Sequence, residues 1–267
     1  MGKPNSKVIN MGTIDNKDKV KTQYTGSDNL DIRILLHDKY SVNRQGFGNW
    51  LFLNYQIKPG QKILELGCGN GRLWVGKLDA LPKDISLTLS DFSQTMLNAA
   101  KENLKDKNIT YKVIDIQQIP YPDESFDIVI ANMMLYHVPD LDKALSEVKR
   151  VLKADGKFYT ATLGERGITA FIRNALALPE GEGMKFTLQN GNDILKRYFN
   201  NVEVKLYNDS LEVTDTGDLI KYINTLMWGD ELKSIAENEM MNLLDRHKKD
   251  GIIKIPKEYG TFIVTSN

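Results

Sequence analysis

The chain has 267 residues, of which 41% are hydrophobic and 26% charged, with 20 Gly and 8 Pro. A chain of that length buries about 70–75% of its unfolded surface in a large core, and its composition excludes a collagen-like repeat and wholesale disorder. Thirty-five Lys and Arg balance thirty-five Asp and Glu, so no global field draws it to phosphate backbones or anionic lipid.

Met1 to about Leu30 is polar and turn-rich with no apolar core, and reads as a loose arm without a secretory leader or membrane anchor. Ile32 to Asn54 carries Leu35, Leu36, Tyr40, Phe47, Trp50, Leu51 and Leu53 at mixed helical spacings around Gly46 and Gly48, which predicts two short helices and a bend. After the Pro59-Gly60 turn, strands are expected over Lys62–Leu66, Ile85–Leu89, Thr110–Ile114, Phe126–Ala131 and Lys157–Thr162. Helices are expected between them over Leu73–Leu81, Ser93–Leu104 and Leu141–Leu152. Parallel strands need crossovers of this length, so the fold class is α/β, with ligands beyond the carboxyl ends of the strands.

Beyond Thr162 the alternation breaks. Helices are expected over Arg166–Leu178, Asp193–Tyr198, Asp218–Met227 and Leu232–Lys248, with late strands at Val202–Tyr207 and Gly260–Thr265. The stretch Leu211–Asp218 reads as a connection in which Thr216 or Asp218 caps the following helix. Such an insert places a cap over the ligand edge. The organisation is thus an N-terminal arm with cap helices over 1–54, an α/β core over 55–163, a helical cap insert with a late core strand over 164–250, and a C-terminal core strand over 251–267.

The sharpest local signal is Glu65-Leu66-Gly67-Cys68-Gly69-Asn70-Gly71, three alternating glycines between a strand and a helix. Glycines there permit positive φ and close approach of a ligand to the backbone, although they also make tight turns. A dinucleotide-binding GxGxxG is the rival, but position 72 is Arg rather than Gly and Glu65 precedes the turn. A carboxylate beside the site repels a pyrophosphate and suits a cation. Cys68 is the single cysteine; with no internal disulfide and no metal-ligand spacing, it fits a reducing compartment and argues against structural zinc.

Asp91 follows the second strand, where a carboxylate can accept both hydroxyls of a ribose, while Asp91 or Ser93 can cap the next helix. Asp115 follows the third strand and can accept from an adenine amino group, with Ile116 covering the ring. Asn132, Met133, Met134, Leu135, Tyr136 and His137 follow the fourth strand, and His137 is the candidate proton acceptor near neutral pH. Asp127 reads instead as an anchor for its own strand.

Taken in order, ELGCGNG at 65–71, DFSQTML at 91–97, DIQQIP at 115–120, FDIVIANMMLYHVPD at 126–140 and LSEVKRVLKADG at 145–156 resemble the class I S-adenosylmethionine-dependent methyltransferases. The resemblance is particularly to the broad small-molecule group that includes ubiquinone and menaquinone biosynthesis enzymes, and it is strong over roughly Lys62 to Leu163 and weak over the remainder. The resemblance implies a three-layer Rossmann-like fold with a predominantly parallel sheet and helical cap elements. It further implies S-adenosyl-L-methionine as cofactor and direct in-line methyl transfer to a small molecule. Gly67, Gly69 and Gly71 would hold the methionine moiety, Glu65 would orient its amino group, and Asp91 would take the ribose. Phe92 and Met96 would pack near adenosine, Asp115 and Ile116 would recognise adenine, and Asn132 and Met133 would flank the transfer path. No metal is implied.

Tyr24, Tyr40, Arg44, Phe47, Trp50, Phe171, Arg173 and Trp228 are candidates for the wall of an acceptor enclosure, although scattered aromatics are also core material. Arg246, His247, Lys248 and Lys249 could touch RNA, but Asp245 and Asp250 flank them, which suits a solvated helix face. An RNA nucleotide methyltransferase and a catalytically silent cofactor-binding protein are the alternatives. The expected setting is cytoplasmic, without membrane insertion; the oligomeric state and the acceptor are open.

Overall fold

The computed structural model describes residues 28–266 except 107, 180, 182, 227–231, 233 and 234. The expected arm up to residue 27, including Tyr24, lies outside the described residues, as does Trp228.

Seven strands form one sheet: β1 (Lys62–Leu66), β2 (Ser86–Asp91), β3 (Thr110–Val113), β4 (Phe126–Ile130), β5 (Leu152–Leu163), β6 (Asn201–Val213) and β7 (Ile253–Thr265), in the order β3-β2-β1-β4-β5-β7-β6. Strands β1 to β5 pair in parallel, and β7 runs antiparallel to both β5 and β6. The central strands are apolar on both sides because both faces are covered. Leu64, Leu66, Val129 and Ala131 enter one cluster, and Ile63, Ile128 and Ile130 enter the opposite one.

The helices are α1 (Asp28–Tyr40), α2 (Phe47–Asn54), α3 (Gln94–Leu104), α4 (Leu141–Val151), α5 (Ile168–Ala175), α6 (Gly191–Lys196), α7 (Thr216–Asn224) and α8 (Glu237–Asp245). Helix α4 shows why its sequence folds as it does. Asp140 caps it by accepting the Lys143 N–H at 3.0 Å, and Ala144, Leu145, Val148 and Val151 make one buried face. Asp127 anchors its strand as expected, accepting from the Lys62 N–H at 2.8 Å and Lys153 Nζ at 2.7 Å.

Several expectations need correction. Leu73–Leu81 is not one helix but two 3-10 turns, Arg72–Trp74 and Leu78–Ala80, separated by Gly76 at φ +70°. Strand β5 starts at Leu152 rather than Lys157, and the late strands run well past their expected bounds. Leu211–Val213 therefore belongs to β6 and is not a connection. The cap of α7 is Asp215, which accepts the Gly217 N–H at 2.8 Å, and neither Thr216 nor Asp218. Within the stretch expected to be helical to Lys248, α8 covers Glu237–Asp245.

The extra length of β6 and β7 builds the cap. Strand β5 ends with Leu163 paired to Tyr259, but β6 and β7 go on pairing from Asn208↔Glu258 to Val213↔Ile253. This two-stranded ribbon projects beyond the carboxyl ends of the parallel strands. Leu36 and Tyr40 of α1, Ile168 and Ile172 of α5, Leu219 and Ile223 of α7 and Leu244 of α8 share one buried cluster with the ribbon's Leu211, Val213, Ile253 and Ile255.

Candidate functional site

At the end of β1 the backbone turns through Gly67 (φ +69°), Gly69 (+55°) and Gly71 (+73°), left-handed conformations that favour glycine. A Cβ on Gly67 would lie 3.0 Å from Met134 Cγ, and one on Gly71 3.0 Å from Leu104 Cδ1 and 3.1 Å from Ala100 Cβ. The loop is thus wedged between the end of β4 and α3. Beneath it, buried Glu65 accepts the Trp74 indole N–H at 2.6 Å, fixing the first 3-10 turn. Burial pushes the Glu65 carboxyl up to about 7, against the Trp74 hydrogen bond and with help from Asp91.

Asp91, also buried, accepts the Gly69 N–H at 3.0 Å through Oδ2 and the Ser93 N–H at 2.9 Å through Oδ1. Burial still raises its pKa above the ordinary aspartate value, against the hydrogen bonds from Ser93, Gly69 and Phe92. Ser93 caps α3 through the Met96 N–H, so the binding and capping roles are divided between the two residues. Met96 itself is fully buried, and Phe92 is half-buried. Asp115, just past β3, accepts from the Gln117 N–H and side-chain amide at 3.0 and 3.1 Å, while Ile116 is buried in the core.

At the end of β4 the Asn132 side chain is engaged on both sides: Nδ2 donates to Tyr55 Oη at 2.7 Å, and Oδ1 accepts the Ala161 N–H at 3.1 Å. Met133 takes φ +54°, unusual outside glycine, and its N–H donates to Ala161 O at 2.8 Å. Its side chain packs against all three apolar clusters and so joins the sheet edge to the cap. His137 ends the short 3-10 turn Leu135–His137, its ring 4.5 Å from that of Tyr136. The fold therefore brings Glu65, the three glycines, Asp91, Asp115, Asn132, Met133 and His137 to one edge, since all of them follow or end parallel strands.

The family model described as methyltransferase domain matches residues 64–160. The fold of this chain is the methyltransferase fold. The chain is similar to the demethylmenaquinone methyltransferase of Lactobacillus johnsonii, at 36% identity over 118 residues covering 43% of this chain and 48% of that protein. It is similar also to the ubiquinone/menaquinone biosynthesis C-methyltransferase of Rickettsia bellii, at 40% identity over 132 residues covering 46% and 53% of the two chains. The match spans about half the length of these curated relatives. Among solved structures, the YcgJ protein from Bacillus subtilis superposes with a TM-score of 0.60 at 15% identity, over 82% of this chain and 98% of that one. Phosphoethanolamine N-methyltransferase 2 of Haemonchus contortus, in complex with S-adenosyl-L-methionine, superposes with a TM-score of 0.58 at 18% identity, over 96% and 60%. These two likenesses show the fold.

Helix α1 ties the α/β core to the cap. Its Leu30 side chain lies 3.7 Å from where a Gly69 Cβ would stand, and its Asp38 pairs with Arg72 of the glycine loop. On the other side, Arg33 donates to Thr225 Oγ1 at 2.9 Å, and Lys39 and Tyr40 donate to Asp218 at 2.7 and 2.9 Å. Of the expected enclosure residues, Phe47 and Trp50 stack at 5.8 Å and meet Tyr207, while Phe47 also meets Tyr259. Phe171 packs on the same apolar cluster as Phe47 and Trp50 and meets His247, and Arg173 donates to Pro179 O at 2.6 Å. In the basic segment, Lys248 pairs with Asp245 at 2.9 Å.

Sequence reasoning missed His37, Tyr222 and Tyr259, whose rings meet edge to face, and Lys257 with Asp209, a buried ion pair at 2.6 Å. His37 Nε2 lies 3.2 Å from Tyr259 Oη, and its Nδ1 has no hydrogen-bond partner among the described residues. Burial, with the nearby Lys257 charge, lowers the His37 pKa to about 3, so the ring is neutral. The sequence signal lay in helical spacing: His37 and Tyr40 are three apart on a helix whose Leu36 faces the same cluster.

Proposed function

We propose that this chain transfers a methyl group from S-adenosyl-L-methionine to a small-molecule acceptor by direct in-line substitution. The observation that carries the reading is the pairing of a positive-φ glycine loop with buried carboxylates, Glu65 beneath the loop and Asp91 anchored to Gly69 beside it. That donor set fits a cationic nucleoside with free hydroxyls and disfavours a pyrophosphate, and the loop's own cation, Arg72, is engaged by Asp38.

When bound, the cofactor supplies a methyl carbon on a sulfonium centre, with S-adenosylhomocysteine as the leaving product. Gly67, Gly69 and Gly71 let its methionine end approach the backbone. Asp91 takes the ribose hydroxyls, and Asp115 with Ile116 selects adenine. Asn132 holds the end of β4 in place through Tyr55 and Ala161, leaving backbone and the Met133 side chain to line the transfer path. His137 accepts the acceptor's proton. The acceptor is enclosed by α1, α7 and the ribbon, where the neutral His37, Tyr222 and Tyr259 give an aromatic wall and Nδ1 of His37 a hydrogen-bonding position. Orientation and exclusion of water in such an enclosure lower the barrier by several kcal/mol. A reducing, cytoplasmic setting goes with the single buried Cys68.

Incubating the full chain with methyl-labelled cofactor and fractionated cell extract tests this. Label should enter the low-molecular-weight fraction, and His137→Ala should cut turnover about 10²-fold or more while leaving cofactor affinity within a few-fold. Label entering RNA instead, or cofactor binding with no transfer to any fraction, would overturn the reading.

A further inference from the structure

Strand β6 forms one of the two edges of the sheet, and only part of it is covered. The segment after α1 closes its distal half: Val42 N–H donates to Ser210 O at 2.9 Å, Asn43 Nδ2 donates to Asn208 O at 3.0 Å, and Ser41 bridges to Leu211. Those contacts fix which residues face outward. The carbonyls of Asn208 and Ser210 point away from β7, so by the alternation of an antiparallel ladder Val202, Val204 and Leu206 also direct their N–H and C=O groups away from it. Among the described residues nothing hydrogen-bonds to those groups. One face of the stretch also presents apolar side chains to solvent: Val204 is 47% and Leu206 69% exposed.

The sequence of this stretch, Val202-Glu203-Val204-Lys205-Leu206, is complementary to itself when reversed. Antiparallel pairing of two copies about a two-fold axis at Val204 sets Val204 against Val204, Val202 against Leu206, and Glu203 against Lys205. The outward-facing residues then form hydrogen-bonded pairs, and the two charged pairs fall at the closer, non-hydrogen-bonded positions, where opposite charges stabilise a sheet. Glu203 and Lys205 are already held on one face, 3.7 Å apart within the chain, with Lys205 also donating to Asn54 Oδ1 at 3.1 Å.

We propose that this chain forms a two-fold dimer through β6, pairing Val202–Leu206 with the same residues of a second copy into a continuous fourteen-stranded sheet. A symmetric contact of this kind closes on itself and so protects the edge from open-ended association.

The register gives a specific test by sedimentation equilibrium on the full chain. The native protein should sediment as a dimer. Glu203→Lys and Lys205→Glu should each weaken the dimer at least tenfold, because each sets like charges opposite one another. Mixing the two variants should restore a dimer, since every facing pair then joins opposite charges, and the double variant should dimerise by itself. Glu203 is exposed and Lys205 half-buried, and unchanged thermal unfolding of the variants confirms that their folds are intact. A dimer indifferent to these reversals would overturn the proposal. So would a native monomer across the micromolar range in which the amides of Val202, Val204 and Leu206 resist hydrogen exchange, which would assign the edge to residues 1–27 of the same chain.

Discussion

Glu65 is the residue at which site and stability meet. Its carboxyl titrates near 7 in the folded chain, against 4.5 when exposed, chiefly because burial penalises the charge. The folded state therefore holds this proton more tightly than the unfolded state. Its favourable contribution is complete below pH 4.5 and is lost as pH rises through about 7. Glu65→Gln keeps an oxygen for the Trp74 indole and removes the titration. Urea unfolding of the cofactor-free protein should show the native chain losing on the order of 3 kcal/mol across that window through this group, and the variant losing correspondingly less. Equal slopes in the two proteins would assign the pH dependence elsewhere. Asp91 and Met133 also show local cost kept at the site: one is a buried carboxylate tied to the glycine loop, the other a β4-end residue held at φ +54°.

At the level of elements, the ribbon of β6 and β7 matters most, because it carries the cap on an extension of the sheet. The Lys257–Asp209 pair lies within it, with Lys257 Nζ also donating to Ser41 Oγ at 3.0 Å and Asp209 accepting the Asn43 N–H at 2.9 Å. Burial lowers the Lys257 pKa against the pull of Asp209, while Lys257 and the Asn43 N–H hold the Asp209 carboxyl below its ordinary value despite burial. Lys257→Met should thus cost about 3–5 kcal/mol by stranding a buried charge. Adding Asp209→Asn should recover much of that loss in thermal or urea unfolding. A double variant as unstable as the sum of both singles would contradict the coupling. The central parallel strands β1, β2 and β4 were legible because two-sided burial leaves nearly uninterrupted apolar runs such as Ile128 to Ala131. The ribbon was under-read because Lys254, Pro256, Lys257 and Glu258 break its pattern, and the partner of Lys257 lies on a neighbouring strand that no local spacing points to. The helix expected at Leu73–Leu81 failed for a different reason: Leu73, Trp74, Leu78 and Leu81 keep helical spacing, but Gly76 turns the backbone left-handed among them.

For the molecule as a whole, the gathering of Glu65, Asp91, Asp115 and Asn132 at one sheet edge could be read from the sequence because these residues end or follow successive strands and the topology gathers strand ends. The cap cluster could not, because α1, α7 and β7 come together only through the folded cap, and His37 meets Tyr259 across 222 positions of chain. The proposed function depends on the edge of β1, β2 and β4 accepting a sulfonium nucleoside. Calorimetric titration of the full chain with S-adenosyl-L-methionine, beside NAD and an Asp91→Ala variant, tests that dependence most directly. One site per chain should fill with S-adenosyl-L-methionine, the variant should lose about 10²-fold or more in affinity as its ribose contact disappears, and NAD should give no heat. Binding of NAD in its place, or affinity for S-adenosyl-L-methionine unchanged by Asp91→Ala, would contradict it.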